Sequence, residues 1–231
     1  MPTYNEAENL SRMVEELLRL PLPGLQLLVV DDNSPDGTGA IADHLAQQHP
    51  GRVAVLHRAA KLGLGSAYIN GFRWALDQGA DAICEMDADF SHPPSDLLRL
   101  VAGIETHDVA VGSRYVPGGQ VDPGWSPRRR FLSQGGNWYA RLVTGLRVQD
   151  TTAGFKCFRR QVLESLDLER IRSNGYAFQI EVAYACQKQG RRVLEVPIAF
   201  LERGAGRSKM SLPIVLEAVW RVWQLLWRYR Q

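Results

Sequence analysis

Short apolar runs alternate with segments of helical periodicity over the first half of the chain. The runs that predict strands are residues 25–32, 52–57, 80–87 and 108–113. The first of them is almost wholly apolar, as expected for a strand that is covered on both faces. Helices are predicted between these runs, over residues 5–19, 38–46, 65–78 and 94–105. This alternation with short connections predicts an α/β fold with a mostly parallel sheet flanked by helices.

The chain opens on a helix, although a strand should begin such a fold. Pro2 already belongs to the turn before the first predicted helix. A βα unit starts with a strand. We therefore expect the first strand to be missing, through a start assigned too far downstream or a shortened chain.

The alternation ends after residue 114. Residues 116–130 are rich in glycine, proline and arginine, and they predict a long loop of the kind that is usually functional. Further predictions are a helix over 133–142, a helix over 175–190, a strand over 191–200 and a polar loop over 202–211.

The last segment predicts an amphipathic helix, so we divide the chain into a domain of residues 1–210 and a helix of residues 211–231. Its aromatic residues are Trp220, Trp223 and Trp227, and its flanking cations are Arg221, Arg228 and Arg230. Tryptophan with arginine suits the headgroup region of a membrane. Packing of the helix on the domain or on another subunit explains the same pattern equally well.

Composition narrows the classes of protein. The chain has 231 residues, of which 45% are hydrophobic, and a net charge of only +2. General nucleic-acid binding would need a stronger basic balance, so we expect no nucleic-acid partner. The three widely spaced cysteines, Cys84, Cys157 and Cys186, predict reduced, buried thiols in a cytoplasmic protein. We find neither a signal peptide nor a run apolar enough to span a bilayer.

Charged residues follow the predicted strands at their carboxyl ends, where open α/β sheets bind ligands. These residues are Asp31, Asp32, Asp87, Asp89 and Arg114. An Asp-x-Asp pair such as Asp87 and Asp89 suits Mg²⁺ or Mn²⁺ together with phosphate oxygens. Alone, the pair is a weak signal and is more typical of an exposed acidic turn, but its place at the sheet edge shifts the balance toward the metal.

Clustered cations indicate phosphate binding. They are Arg114, then Arg128, Arg129 and Arg130, then Arg203, Arg207 and Lys209. Guanidinium groups match phosphate geometry. Other phosphate or catalytic signatures are missing: there is no GxxxxGK[ST], and residues 61–68 lack the third glycine of a dinucleotide loop. The histidines are scattered, and we assign His92 no role.

Eight segments, in order, carry a resemblance to a known family. PTYNE (2–6), VVDDNSPDGT (29–38), KLGLGSAY (61–68), MDADFSHPP (86–94) and VGSRY (111–115) resemble the inverting family 2 glycosyltransferases with the GT-A fold. TTAGFKCFRR (151–160), GYAFQIEV (175–182) and RGAGRSKMS (203–211) are similar to polyprenol-phosphate (dolichol-phosphate) mannose synthases.

The resemblance implies transfer of mannose from GDP-mannose to a polyprenyl or dolichyl phosphate at the cytoplasmic face of a membrane. The residues implied for the nucleoside are Pro2, Tyr4, Glu6, Val30 and Asp32. Those implied for the metal and the diphosphate are Asp87, Ala88 and Asp89, with Arg114, Arg203 and Lys209 completing the donor site. Those implied for the acceptor phosphate are Arg129, with support from Arg114, Arg128 and Arg130. We expect Asp89, Arg114 and Arg129 to carry catalysis.

One departure concerns the metal, because some relatives have a glutamine contact where this chain has Ser91. Three alternatives remain open. They are glucose transfer from UDP-glucose to a polyprenyl phosphate, a non-catalytic scaffold subunit, and a nucleotidyltransferase. The route to the lipid also stays open, because the tryptophan-rich helix or a membrane partner protein would serve.

Overall fold

The structure, a computed structural model, describes residues 1–202 and 212–229, with side chains described up to residue 202 and from 220 to 229. The helices are α1 (Leu10–Leu18), α2 (Thr38–Gln48), α3 (Leu64–Asp77), α4 (Asp96–Gly103), α5 (Pro127–Thr144), α6 (Arg160–Ser165), α7 (Gly175–Lys188) and α8 (Leu212–Arg228). The strands are β1 (Pro2–Thr3), β2 (Leu27–Asp31), β3 (Val53–His57), β4 (Ala82–Glu85), β5 (Val109–Ser113), β6 (Gln120–Val121), β7 (Lys156–Arg159), β8 (Val193–Pro197) and β9 (Ala199–Phe200).

The strands form two main sheets and one small ribbon. Strands β1, β2 and β3 pair in parallel, in the order β1–β2–β3. The prediction that Pro2 belongs to a turn is therefore wrong, because Pro2 and Thr3 form a short strand beside β2. The second sheet has the order β4–β7–β5–β8, in which β7 runs antiparallel to both of its neighbours and β5 pairs in parallel with β8. Strands β6 and β9 pair with each other. The α/β prediction is confirmed, but the sheet is mixed because β7 inserts against the direction of its neighbours.

Helix α1 begins later than its periodicity predicts. Asn5 adopts a left-handed backbone with φ of 60°, which an α-helix does not admit. The backbone carbonyl of Glu6 then accepts bonds from the amides of Asn9 and Leu10, at 3.0 and 2.9 Å. The predicted start at residue 5 is therefore wrong, and residues 5–9 form turns at the edge of the sheet.

Helix α5 starts inside the segment that we predicted as a loop. Ser126 caps it, because the Ser126 hydroxyl accepts a 3.3 Å bond from the amide of Arg129, and Pro127 occupies the first turn. Arg128, Arg129 and Arg130 therefore lie in the first helical turn. The loop prediction over 116–130 is wrong for 120–121, which form β6, and for 127–130.

Helix α8 packs on the domain through one side. Val222 and Leu225 are buried against Ala140 of α5 and Ile180 of α7. Trp220, Trp223 and Trp227 are exposed. Packing on the domain, one of the two interpretations of this helix, explains the side that carries Val222 and Leu225. The tryptophans of α8 remain exposed to solvent.

Two of the cysteines are not reduced thiols. Cys84 of β4 lies directly opposite Cys157 of β7, with their Cα atoms 4.1 Å apart, and the two form a disulfide. The expectation of three reduced cysteines is wrong for this pair, because residues 73 positions apart meet only through the register of β7. Cys186 is free and buried, and burial raises the pKa of its thiol to about 12.

A groove separates the two main sheets. Strand β1 covers only Val30 and Asp31 of β2, and within the described residues β4 pairs with β7 alone. The groove is a cavity of about 510 Å³ lined by β2, β4 and α3, including Leu28, Ile83 and Phe72. The α-amino group of Met1 donates a 2.9 Å bond to the carbonyl of Leu28, which continues the pairing of β1 into the groove.

We propose that this groove takes one further parallel strand, continuous with β1. Adding five strand-forming apolar residues ahead of Met1 is expected to raise the free energy of unfolding by about 3 kcal/mol or more, because apolar side chains enter a preformed cavity. A five-residue Gly/Ser extension is the matched control. Urea unfolding at pH 8 measures both, and equal stability of the two extended chains would contradict the proposal.

The pH dependence of stability gives a second readout. Burial lowers the pKa of the Met1 α-amino group from 8.0 to about 6. Between these values the unfolded chain binds more protons, so stability rises from pH 6 to pH 8, by about 3 kcal/mol. The apolar extension moves the amine out of the groove and is expected to remove this rise.

Candidate active site

A pocket of about 390 Å³ opens at the carboxyl ends of the strands, where the sequence analysis places the ligand. Its wall contains residues from the ends of β1, β2, β4 and β5 and from helices α5, α7 and α8. It brings together nine of the predicted site residues, namely Pro2, Tyr4, Glu6, Asp32, Asp87, Ala88, Asp89, Arg114 and Arg129.

The remaining predicted residues lie elsewhere. Val30 lines the groove beside β1. Arg128 is exposed, and Arg130 donates to the backbone carbonyls of Asp122 and Pro123, at 3.2 and 2.8 Å. Arg203 and Lys209 fall outside the described residues.

Asp31 also departs from the expected convergence of charges. Its carboxylate accepts bonds from the hydroxyls of Thr3 and Ser34, at 3.2 and 2.6 Å. This carboxylate therefore braces the turn after β2 and stays out of the pocket wall.

Asp32 is buried, and its charge is neutralised by Arg58, which no sequence motif pointed to. Arg58 forms an ion pair with Asp32, and its other terminal nitrogen donates a 2.6 Å bond to the hydroxyl of Ser66. The second carboxylate oxygen of Asp32 accepts a 3.2 Å bond from the amide of Gly63. This network ties the end of β2 to the loop that precedes α3.

The loop before α3 supplies a cation to the pocket. The ammonium of Lys61 lies 3.7 Å from the centre of the Tyr4 ring, and both residues line the pocket. A side chain at Gly65, in the first turn of α3, would come within 2.4 Å of the carbonyl of Ser173, so glycine is required for α3 to approach the segment before α7. Lys61 belongs to the segment KLGLGSAY, but only the glycines of that segment were used in the predictions.

The two acids of the Asp-x-Asp pair are held differently. Asp87 is half-buried and accepts a 3.1 Å bond from the hydroxyl of Tyr68. Burial, and then the Asp87 charge, raise the pKa of Tyr68 well above its ordinary value, so the phenol remains a donor. Asp89 is buried and accepts a 3.0 Å bond from the amide of Ser91.

These oxygen donors fit a hard divalent cation. Asp87 and Asp89 both line the pocket, and the hydroxyl of Ser91 is buried without a hydrogen-bond partner among the described residues. No group of three histidine, cysteine or acidic residues suitable for a metal occurs in the described part of the chain. Two carboxylates suit Mg²⁺ or Mn²⁺ when substrate oxygens and water supply the other ligands.

Arg114 is buried and bound to a carboxylate of its own chain. Its Nε and Nη2 atoms donate to Asp150 at 2.7 and 2.6 Å, and Nη2 also donates to the hydroxyl of Thr152 at 2.8 Å. Burial alone would lower the pKa of Arg114, but the Asp150 carboxylate raises it above its ordinary value. Only the Nη1 side of the fork is without a partner among the described residues, so Arg114 has one edge to offer a substrate.

Arg129 is the member of the arginine cluster that faces the pocket. Its guanidinium lies 4.0 Å from the centre of the Trp125 ring, and it forms a 3.4 Å ion pair with the exposed Glu202. The residue sits in the first turn of α5, where the helix dipole also favours an anion.

His92 lies on the wall between two aromatic rings. The ring of His92 is 5.1 Å from that of Phe155 and 5.2 Å from that of Phe200. Burial lowers the pKa of His92 to about 4, so the ring is neutral near pH 7. His92, to which no role was predicted, is therefore an uncharged part of the pocket wall.

The far end of the pocket is apolar. Its lining residues there come from α5, α7 and α8, and they are Leu132, Tyr139, Ala140, Ile180 and Val222. The pocket thus joins an end rich in charged groups to an end suited to hydrocarbon.

Comparison with known proteins agrees with this geometry. The sequence model of glycosyl transferase family 2 matches residues 1–167. The chain is 48% identical over 223 residues to the polyprenol monophosphomannose synthase of Mycolicibacterium smegmatis, covering 96% of this chain and 83% of that protein. It is 47% identical over 231 residues to the undecaprenyl-phosphate mannosyltransferase of Micrococcus luteus, covering 99% of this chain and 94% of that protein.

Solved structures share the fold. Glucosyl-3-phosphoglycerate synthase from Mycobacterium tuberculosis, in complex with Mn²⁺, UDP and its product, aligns with a TM-score of 0.66 at 18% identity, over 97% of this chain and 76% of that one. A mannosyltransferase from Pyrobaculum calidifontis, in complex with GDP-Man and Mn²⁺, aligns with a TM-score of 0.59 at 17% identity, over 98% and 72%.

The chain therefore belongs to glycosyl transferase family 2, and the prediction of a GT-A fold is confirmed. Its resemblance to the polyprenol-phosphate mannose synthases is confirmed as well, by relatives of that name at almost half identity. Among the described residues, no helix is long and apolar enough to cross a membrane.

The Arg114–Asp150 pair gives a stability prediction. Asp150→Asn keeps the shape of the side chain but leaves a buried guanidinium without its counter-charge, so we expect a loss of about 3 kcal/mol or more. Urea unfolding measures it. Glu16→Gln, in the exposed i,i+4 pair with Arg12, is the control and is expected to cost less than about 0.5 kcal/mol. Equal losses in the two variants would show that burial of the pair contributes nothing.

Proposed function

We propose that the protein transfers mannose from GDP-mannose to a polyprenyl monophosphate, giving GDP and a polyprenyl-phosphate β-mannose. One observation carries the proposal: a single pocket joins the Asp87/Asp89 pair to an apolar end lined by α5, α7 and α8. A sugar nucleotide needs the first part, and a lipid needs the second. The names of the two curated relatives, a polyprenol monophosphomannose synthase and an undecaprenyl-phosphate mannosyltransferase, support the same substrates.

The donor occupies the side of the pocket formed by the ends of β1, β2 and β4. Tyr4, Asp32 and Lys61 line that side and offer an aromatic face, a carboxylate and an ammonium. A carboxylate accepts hydrogen bonds from the amine and imide groups of a purine base or from ribose hydroxyls. Asp87 and Asp89 would hold a divalent cation, which would supply positive charge against the leaving diphosphate.

The acceptor occupies the side formed by α5 and α7. Arg129 of α5 and Arg114 both line the pocket, and guanidinium groups bind phosphate oxygens well. Leu132, Ile180 and Val222 extend the same wall as an apolar surface for the first isoprene units. Arg128 and Arg130 support the acceptor site from outside the pocket wall, through charge alone.

The chemistry needs little from a general base. A phosphate monoester has a second pKa of about 6, so it is largely dianionic near neutral pH and is its own nucleophile. One acceptor oxygen forms a bond to the anomeric carbon while the bond from that carbon to the diphosphate oxygen breaks, and GDP leaves with the electron pair. In-line attack inverts an α-linked donor. The residues of the pocket place two anions side by side and offset their repulsion.

A membrane surface is the third partner. Helices α5 and α8 pack together, and both leave large apolar side chains in solvent, including Phe131, Trp138, Trp220, Trp223 and Trp227. Exposed arginines on or near them, Arg128 and Arg141, favour anionic headgroups. Val222 lies between Trp220 and Trp223 in the sequence, and it is buried on the pocket wall. The exposed tryptophans and the apolar end of the pocket therefore belong to the same helix, α8.

The transfer assay tests the proposed function. Labelled GDP-mannose, a polyprenyl phosphate in detergent, and Mg²⁺ or Mn²⁺ are expected to give a mannolipid that EDTA abolishes. Asp89→Ala is expected to lower the rate by at least about 100-fold, because the charge on the leaving diphosphate is no longer offset. UDP-glucose serves as the competing donor.

The other outcomes identify the alternatives. Glucolipid in place of mannolipid would assign the chain to glucose transfer. Binding of neither nucleotide would favour a non-catalytic scaffold.

The membrane surface is tested by vesicle binding. Trp220→Ser, Trp223→Ser and Trp227→Ser in one variant are expected to lower partitioning onto anionic vesicles by roughly tenfold or more, since apolar area no longer leaves water. Leu62→Ser, an exposed apolar residue before α3, is the control and is expected to bind as the parent does. If the triple variant partitions equally well, another surface or a partner protein recruits the enzyme.

A further inference from the structure

A buried polar cluster lies at the base of the pocket and the mechanism above does not use it. It consists of Glu85 at the end of β4, Lys156 at the start of β7 and Gln179 on α7, all almost wholly buried. The Lys156 ammonium donates to Glu85 at 2.9 Å, to the carbonyl of Ala153 at 2.6 Å, and to the side-chain oxygen of Gln179. An ammonium has three N–H donors, so Lys156 is saturated and has none left for a substrate.

Lys156 fixes which way the Gln179 amide points. An ammonium only donates, so the amide must turn its oxygen toward Lys156 and its nitrogen to the other side. That nitrogen, Nε2, is buried and has no hydrogen-bond partner among the described residues. Gln179 lines the active-site pocket. The Glu85 carboxylate is the neighbouring acceptor within the cluster. An amide nitrogen carries two N–H donors, so at least one of them is left for the pocket.

The free donor lies close to the metal-binding acid. A Cβ atom built on Gly154 would be 3.7 Å from Gln179 Nε2 and 3.6 Å from Asp87 Oδ2, so both atoms flank this glycine. A carboxylate that accepts and an amide that donates match the two roles of a hydroxyl group, which donates one bond and accepts others. A neutral donor also suits a sugar hydroxyl, since the cations of the pocket serve the phosphates.

We propose that Gln179 donates from Nε2 to a hydroxyl oxygen of the transferred sugar, and so contributes to the choice of sugar. This deepens the proposed function and rests on it. Lys156 is the positioning residue that sets the orientation of the amide. Glycine at position 154 keeps the space between Gln179 and Asp87 open for the hydroxyl.

Deoxy analogues of the donor test the contact. The 2-, 3-, 4- and 6-deoxy forms of GDP-mannose are compared with the parent donor on the wild-type enzyme and on Gln179→Met, which keeps the side-chain length. We expect one analogue to lose about 10- to 100-fold in kcat/KM on the wild type, because the Gln179 donor is then left buried and unpaired. Gln179→Met is expected to lose a similar factor with GDP-mannose and nothing further with that analogue.

Gln187→Met is the matched control, because Gln187 lies on the same helix and does not line the pocket. It is expected to show the wild-type pattern with all four analogues. The proposal is overturned if a folded Gln179→Met keeps the wild-type deoxy penalties. It is also overturned if the wild-type enzyme shows the same kcat/KM for all four analogues as for GDP-mannose.

Failure of the proposed function would look different. The wild type would then give no mannolipid from GDP-mannose. Calorimetric binding of GDP-mannose and its deoxy forms would still test the Gln179 contact, since a lost hydroxyl would weaken binding to the wild type and not to Gln179→Met. Equal affinities for all donors in both proteins would overturn the proposal in that case also.

Discussion

The carboxyl edge of the sheet depends on one constraint, that a buried charge must be paired. Three buried ion pairs satisfy this constraint at the carboxyl edge: Asp32 with Arg58, Arg114 with Asp150, and Glu85 with Lys156. Their partners are 26, 36 and 71 residues apart in the chain, so each pair joins two segments that are distant in the sequence. Unpairing any of them would strand a charge in a region of low dielectric. The loops that carry the site are therefore held by electrostatics as much as by packing.

This pairing also determines which charges remain for substrates. Arg58 and Lys156 are bound to carboxylates of the protein itself. Arg114 binds Asp150 through its Nε and Nη2 atoms. Among the described residues, Lys61 and Arg129 are the other cations that line the pocket. His92 stays neutral between Phe155 and Phe200 and adds no charge beside Arg114. Such a site is suited to hold two anions. A phosphate nucleophile needs little from a general base, because it is already largely dianionic near neutral pH.

The sequence predicted the parts of this site that local patterns encode. Strand ends and the Asp-x-Asp spacing were enough to place Asp32, Asp87 and Asp89 on one wall, since parallel strands share a carboxyl edge. Arg58, Tyr68 and Gln179 were not foreseen, because their roles come from contacts with partners 19 to 26 residues away along the chain. Asp150 lies directly before the TTAGFKCFRR segment, so its place in the sequence would have allowed us to predict it as the counter-charge of Arg114. The Cys84–Cys157 pair depends on the direction and register of β7, which no periodicity reveals.

The groove between the sheets and the active site are mechanically connected through α3. Tyr68 lines the groove with its ring and holds Asp87 with its hydroxyl, and Ala67 lines both cavities. Pro2 likewise belongs to both, because β1 ends where the pocket begins. Side chains that fill the groove would pack against α3, which carries Tyr68. If the groove takes the strand that we propose, we expect that strand to hold Tyr68 in place as well as to raise stability, because the Tyr68 hydroxyl donates to Asp87.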